Sequence, residues 1–170
     1  LSIRRQRQMC IRDRLKAAAI PKIQIPKYQS GKVTQAKLNT ATSQQMIRKL
    51  QATTKEDQCD LLFSQRFLDD DVMTIYPINA QNQLIQIPCW RGAYNMGSGF
   101  WLMDRNKQFK QLVTTSGETF NQGQIFSGHK VRGLGDCLSQ NEWAWNGKKF
   151  VKSFSGLTVQ CLSLIHISEP

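Results

Sequence analysis

The sequence has no uninterrupted apolar stretch of the roughly 20 residues that a membrane-spanning helix needs. It has only two histidines in 170 residues, so candidates for acid–base catalysis are few. Its cysteines lie far apart along the chain, whereas structural zinc sites usually use closely spaced pairs of ligands. We therefore predict no membrane span, no metal and no cofactor.

Both ends of the chain look like translated sequencing adapter. Residues 9–14, read with the end of the preceding codon, back-translate naturally to AGATGTGTATAAGAGACAG, and residues 162–167, running into the next codon, back-translate to its inverse complement. Engineered segments must be set aside before fold reasoning. We therefore assign residues 1–14, expected to be disordered, and residues 162–170 to a transposon-type adapter that flanks a metagenomic fragment. The native part is then 15–161, truncated on both sides.

Acidic residues are scarce and unevenly placed. The formal charge is +11, and it falls to +8 without the adapter segments, which carry five Arg and one Asp at one end and one Glu at the other. Eight Lys or Arg and no acidic residue lie between Lys16 and Lys55, whereas the part from Glu56 to Cys161 has ten of each sign. A dedicated nucleic-acid binder usually has a basic face across its domain. We therefore predict no specific nucleic-acid partner.

The basic stretch divides into a linker and a helix. Pro21 and Pro26 disfavour a helix, so residues 15–41 are predicted to form an extended, basic linker. From 42 to 54 the pattern changes to a short amphipathic helix with Ser43 as its N-cap. Its apolar stripe consists of Met46, Ile47 and Leu50.

The remainder is typical of strands, since β-branched and apolar runs alternate with turn residues. We predict strands at 72–78, 83–89, 99–103, 109–115, 142–145, 149–151 and 157–161. Asn146-Gly147 suits the positive φ values of a type I′ hairpin turn. The fold class is therefore mainly β: one compact antiparallel domain over 42–161, a sandwich or barrel-like meander of about seven short strands.

Four cysteines remain once the adapter is removed: Cys59, Cys89, Cys137 and Cys161. An even number in a loop-rich β domain indicates two disulfides and an oxidising compartment such as the periplasm. Because neighbours in sequence often pair, we favour Cys59 with Cys89 and Cys137 with Cys161. The alternative is four buried free thiols in a cytosolic protein.

Several motifs occur in one order: Pro-Cys-Trp-Arg-Gly-Ala-Tyr-Asn at 88–95, Gly-Ser-Gly-Phe-Trp at 97–101, Arg-Gly-Leu-Gly-Asp-Cys at 132–137 and Trp-Ala-Trp-Asn-Gly at 143–147. Together they resemble the C-terminal half of the domain-of-unknown-function 1176 family, over residues 59–161. The resemblance implies a proteobacterial, exported protein with a signal peptide and an N-terminal half outside this fragment. It implies no activity.

The densest motif supplies the candidate ligand-binding residues Trp90, Arg91, Tyr94 and Asn95, with Asp136 from a later motif. Flat aromatic area beside a planar cation suits an anionic or carbohydrate ligand. The alternative, which we favour, is a structural corner in which Arg91 pairs with Asp136 and the aromatic rings fill the core.

Catalytic and metal sites have weaker support. His129 could serve Cys89 or Cys137 as a general base, but a disulfide-bonded cysteine is no nucleophile. The acidic run 69–71, with Asp60 nearby, could bind calcium, although it lacks the alternation of an EF-hand loop and is typical of a solvated turn.

Three functions follow. The first, which we favour, is an extracytoplasmic, monomeric binding or structural module that contacts another protein or a cell-envelope component without catalysis. The second is part of an envelope enzyme whose remaining site lies in the absent N-terminal half, with a cleft lined by Arg91, Asp136 and His129. The third is a binder of anionic surfaces that acts through the stretch from Lys16 to Lys55.

Overall fold

The computed structural model describes Tyr28, residues 31–64, 66–68 and 71–131, Gly133 and residues 137–158. Its helices are α1 (Ala41–Gln51), a 3₁₀ helix (Glu56–Gln58) and α2 (Asp60–Ser64). Its strands are β1 (Thr34–Lys37), β2 (Val72–Pro77), β3 (Asn82–Arg91), β4 (Met96–Asp104), β5 (Phe109–Gly117), β6 (Thr119–Asn121), β7 (Gln124–Lys130), β8 (Leu138–Trp145) and β9 (Phe150–Thr158). The prediction of a mainly β fold is confirmed.

The strands form two antiparallel meanders. Sheet I has the order β1-β2-β3-β4-β5, and sheet II has the order β6-β7-β8-β9. The described strands thus form two separate sheets rather than one closed barrel. The described residues form nine strands instead of the seven expected. Three of them, β1, β6 and β7, had not been predicted, and the predicted strands 149–151 and 157–161 both fall on β9 as far as they are described. β1 lies inside the segment assigned to the linker, yet it pairs with β2 from Thr34 opposite Ile75 to Lys37 opposite Val72.

Sheet I is the middle layer of the fold. Successive residues of a strand point to opposite faces, and the four residues 100–103 of β4 are apolar and buried on both faces. Trp101 and Met103 pack with the helices, whereas Phe100 and Leu102 pack against sheet II. The continuous apolar run in this strand is therefore explained by burial on both sides.

The helix layer is amphipathic, as predicted, but its boundaries differ. α1 spans Ala41–Gln51 instead of 42–54, and Met46, Ile47 and Leu50 are buried. The prediction of Ser43 as N-cap is wrong: Thr40 is the N-cap, and its side chain accepts a hydrogen bond from the Ser43 amide. Ser43 is fully buried and donates its hydroxyl to the Lys37 carbonyl oxygen at 2.7 Å.

The β8–β9 hairpin is confirmed, but its predicted type I′ turn is wrong. The amide of Asn146 bonds the carbonyl oxygen of Lys149, and of the expected pair only Gly147 has a positive φ, +94°. Positive φ at two consecutive residues, which type I′ requires, occurs instead at Gln122 (+46°) and Gly123 (+84°), between β6 and β7.

The meander gives the molecule two ends at which loops of both sheets meet. At one end, the β3–β4 loop lies against the end of β7, because Asn95 contacts Lys130. At the opposite end, the start of β5 lies against the start of β9, because Gln111 contacts Phe150. Each end therefore presents loops from both sheets on one surface.

Candidate functional site

Trp90 is a packing residue at the end of β3. Its half-buried ring lies 5.0 Å, centroid to centroid, from the His129 ring of sheet II. Its Nε1 donates to the Thr115 carbonyl oxygen at 3.0 Å. A Cβ at Gly97 would collide with the ring, so glycine at that position lets the indole lie on β4. Trp90 therefore connects sheet I to sheet II.

Arg91 turns to the helical side of sheet I. Its Nη2 forms an ion pair with Oδ1 of Asp71, the residue before β2. The second carboxylate oxygen of Asp71 accepts the Leu68 amide at 2.6 Å. The structure thus gives Arg91 a different partner from the Asp136 that the packing interpretation named, and Asp136 lies outside the described residues. Trp90 contacts His129 of sheet II and also packs against the core between sheet I and the helices, the side of the sheet to which Arg91 turns.

Asn95 clamps the two sheets together. Its Nδ2 donates to the carbonyl oxygen of Lys130, and its Oδ1 accepts the amide of Lys130, both at 2.8 Å. The side chain therefore acts as a strand partner for β7. The neighbouring Tyr94 is 65% exposed and lies against Gly133, where an added Cβ would be 2.9 Å from its ring.

His129 lies beneath this clamp. Its Nε2 is 3.1 Å from the Met96 carbonyl oxygen and 3.5 Å from Oε1 of Glu118, and its Nδ1 is 3.5 Å from the Ser127 hydroxyl. Ser127 is fully buried, so a substrate cannot reach its hydroxyl. Ser127, His129 and Glu118 are the residue types of a hydrolase triad. Here the His129 side chain instead contacts the Met96 carbonyl oxygen of β4 and so joins β7 to sheet I.

The most exposed apolar side chains gather at this same end. Five large apolar residues in the described part of the chain are more than half exposed, and all five lie at the end of the molecule that carries the Asn95 clamp. They are Leu68 (63%), Tyr94 (65%), Met96 (66%), Val131 (53%) and Leu157 (61%). We call this surface the apolar end. A shallow groove of about 130 Å³ adjoins it between Lys37, Gln44, Phe67, Leu68 and Asp71.

The predicted disulfide between Cys59 and Cys89 is confirmed. Both cysteines are fully buried, and the bond ties the helical segment to β3. Cys137 is also disulfide-bonded. Its predicted partner, Cys161, lies outside the described residues, so that pairing stays a prediction. Because Cys89 and Cys137 are both oxidised, neither offers a thiolate to His129.

Within the described ranges, no group of three or more His, Cys, Asp or Glu side chains is arranged to hold a metal ion. Of the acidic run considered for calcium, residues 69 and 70 lie outside those ranges. The carboxylate of Asp71 is already used by Arg91 and by the Leu68 amide.

Tyr94 and Asn95 therefore contact the end of β7 and the residues that follow it. Trp90 contacts His129, and Arg91 pairs with Asp71. Four residues of the apolar end had not been predicted as part of a site: Leu68, Met96, Val131 and Leu157. A weak signal existed only for Met96, which follows the turn residues of the densest motif. The roles of the candidate residues in ligand binding stay predictions.

None of the helices in the described part of the chain is long and apolar enough to cross a membrane. No curated protein and no solved structure matches the sequence. The family model described as "Protein of unknown function (DUF1176)" matches residues 13–166. The match includes residues 13–14 and 162–166, which were predicted to be translated adapter. The adapter origin of the two ends, the proteobacterial source and the assignment of this chain to the C-terminal half of the family stay predictions. The chain belongs to the DUF1176 family.

Proposed function

We propose that the protein is an extracytoplasmic, disulfide-stabilised binding module whose apolar end docks onto another protein of the cell envelope. The observation that carries the proposal is that the five most exposed large apolar side chains among the described residues lie at one end. A concentration of exposed apolar side chains in one region of a protein commonly marks a protein–protein contact.

The apolar end is built to present these side chains in fixed positions. The Asn95 clamp holds the β3–β4 loop on β7, and the His129 side chain bonds the Met96 carbonyl oxygen. Tyr94 and Met96 flank Asn95 directly, so their backbones are held at these contacts. A rigid presentation favours binding because less conformational entropy is lost on association. Tyrosine and methionine are also enriched in protein interfaces.

The cysteines support the extracytoplasmic part of the proposal. The buried Cys59–Cys89 bond is a structural disulfide, and such bonds persist mainly in oxidising compartments. At the apolar end, Arg91 is paired with Asp71, whereas the exposed Lys130 has no carboxylate partner among the described residues. The five exposed apolar side chains outnumber this one cation, so apolar contact is the main recognition that we propose for this end.

The test compares the protein with a double variant, Tyr94→Ser with Met96→Ser, as immobilised baits in an envelope extract. Both side chains are exposed, so the variant should fold with little change in stability. A matched control, Val33→Ser with Phe154→Ser, removes two side chains of 45% exposure each that lie away from the apolar end.

We expect at least one identified envelope protein that the parent and the control retain and that the apolar-end variant loses. That protein should then bind the purified parent directly. Equal retention of every protein by all three baits would contradict the proposal.

A further inference from the structure

The charge of the β domain is segregated, although its total is balanced. Five exposed basic residues lie on the loops opposite the apolar end: Arg105, Lys107, Lys110, Lys148 and Lys149. Arg105 and Lys107 belong to the β4–β5 turn, Lys110 is the second residue of β5, and the last two belong to the β8–β9 turn. We call this surface the cationic end.

Side-chain clamps hold the loops of the cationic end together. Gln111 donates through Nε2 to the Phe150 carbonyl oxygen at 2.9 Å, and its Oε1 accepts the Phe150 amide at 3.0 Å. Lys110 and Lys149 each precede one member of this pair. The two turns are therefore adjacent, although nearly 40 residues separate them in sequence. The Nζ of Lys110 donates to Oδ1 of Asn82 at 2.7 Å, so this ammonium has a neutral partner.

The described residues supply no counter-charge for these cations. None of the five forms an ion pair within the described ranges, where the two ion pairs involve Arg91 and His129 at the other end. Asp104 is the one acidic residue on these loops, and its Oδ1 is engaged by the Gln108 amide at 2.9 Å. Like charges held together without neutralisation favour an anionic partner.

Apolar side chains are interleaved with the cations. Phe109, which is 41% exposed, directly precedes Lys110, and Val151, which is 37% exposed, follows the β8–β9 turn. We propose that the cationic end binds peripherally to the surface of an anionic phospholipid bilayer. The lysines and Arg105 would contact phosphate headgroups, while Phe109 and Val151 would enter the interfacial layer.

A bilayer fits this surface better than a nucleic acid. Single-stranded nucleic acids are bound by rows of aromatic rings on which bases stack, and the cationic end offers one exposed ring. A bilayer interface accepts aromatic and aliphatic groups side by side, together with lysines that extend toward the headgroups. The proposal concerns a different surface from the apolar end and does not depend on the proposed function.

The test is co-sedimentation of the whole chain with two kinds of vesicle. One kind is pure phosphatidylcholine, and the other contains about 30% phosphatidylglycerol to supply the anionic surface. The variant Lys148→Gln with Lys149→Gln should bind the anionic vesicles about 25-fold more weakly than the parent, on the basis of roughly fivefold per lysine. The control Lys37→Gln with Lys130→Gln removes the same charge from two exposed positions at the opposite end and should bind within about twofold of the parent. Thermal unfolding confirms that both variants are folded.

A second arm separates a bilayer from other polyanions. Phe109→Ala should weaken vesicle binding several-fold and leave binding to a DNA oligonucleotide unchanged, whereas Phe154→Ala should change neither. The proposal would be overturned by equal binding of the parent to both kinds of vesicle, or by a loss of vesicle binding in the control pair as large as in the lysine pair of the cationic end. It would also be overturned if Phe109→Ala bound vesicles as tightly as the parent, or if the parent bound DNA more tightly than anionic vesicles. The apolar-end variant Tyr94→Ser with Met96→Ser should bind vesicles like the parent.

Discussion

Removing the Cys59–Cys89 disulfide by the double change Cys59→Ala with Cys89→Ala should destabilise the protein strongly. The two cysteines are 30 positions apart in sequence, so the bond closes a loop of that length in the unfolded chain. The entropy that such a crosslink removes from the unfolded state corresponds to about 3.6 kcal/mol at 25 °C. Alanine is preferred to serine because both positions are fully buried and a hydroxyl would need a new partner there.

Urea unfolding at neutral pH without reductant measures this change. For a domain of this size, the free energy of unfolding falls by about 2 kcal/mol per molar urea, so the midpoint should drop by about 1.8 M. The slope itself should rise, because an unfolded chain without the crosslink is more expanded and exposes more surface.

The same experiment in reductant is the control. The parent should lose the contributions of both the Cys59–Cys89 bond and the disulfide of Cys137, whereas the variant can lose only the second. A loss below about 1 kcal/mol in the oxidised variant, or an unchanged slope, would refute the idea that this bond acts by restricting the unfolded chain.

Three further predictions concern single side chains. Burial raises the pKa of Tyr76 above its usual 10.0, so the stability that depends on its neutral phenol is complete below pH 10 and is lost as the pH rises through the folded-state pKa. Tyr76→Phe should therefore lose less stability between pH 8 and pH 11, as measured by urea unfolding. Parallel plots of the free energy of unfolding against pH for the parent and the variant would contradict this. Asn95→Ala removes both hydrogen bonds to Lys130 and should lower the free energy of unfolding by about 1–3 kcal/mol. The control Asn106→Ala, in the exposed β4–β5 turn, should change it by less than about 0.5 kcal/mol. Equal effects of the two Asn variants would contradict the clamp. Gly123→Ala should lower the free energy of unfolding by about 1–2 kcal/mol because φ is +84° there. Gly92→Ala should leave it nearly unchanged, since a Cβ has room at that position. An unchanged stability of Gly123→Ala would contradict the turn assignment.

The hairpins of sheet I could be predicted from sequence because their signals are local. The runs that became β2 to β5 combine β-branched and apolar residues with polar turns between them, and hydrogen bonding and burial then reinforce the same pattern. The Cys59–Cys89 pair followed from the even number of cysteines and from the order of the chain. These inferences needed no knowledge of which layers pack together.

Turn types and caps were harder because neighbouring residues compete. Thr40 and Ser43 are both good N-cap residues, and the structure uses Thr40 as the cap and buries the Ser43 hydroxyl against Lys37. Asn146-Gly147 has the ideal composition for a type I′ turn, yet the β8–β9 loop extends to Lys149. In each case, packing of the flanking elements decided between alternatives that local preference leaves close in energy.

The two ends of the molecule could not be predicted at all. Leu68, Met96 and Leu157 come from three distant parts of the chain, and only the meander order brings them to one end. The count of charges from Glu56 to Cys161 is balanced, so it hides the cationic end, which depends on which turns face the same side. Tyr94 and Asn95 were identified because their motif is dense, but the clamp to Lys130 joins residues 35 positions apart.

The docking proposal is tested most directly by photo-crosslinking in living cells, with a photoreactive amino acid at Tyr94 and, in a matched protein, at Phe154. The protein is directed to the periplasm, so that its disulfides form in an oxidising compartment. We predict a discrete crosslinked product with one identified envelope protein from position 94 and none from position 154. Identical products from both positions, or no product from position 94, would contradict the assignment of the apolar end as the binding surface.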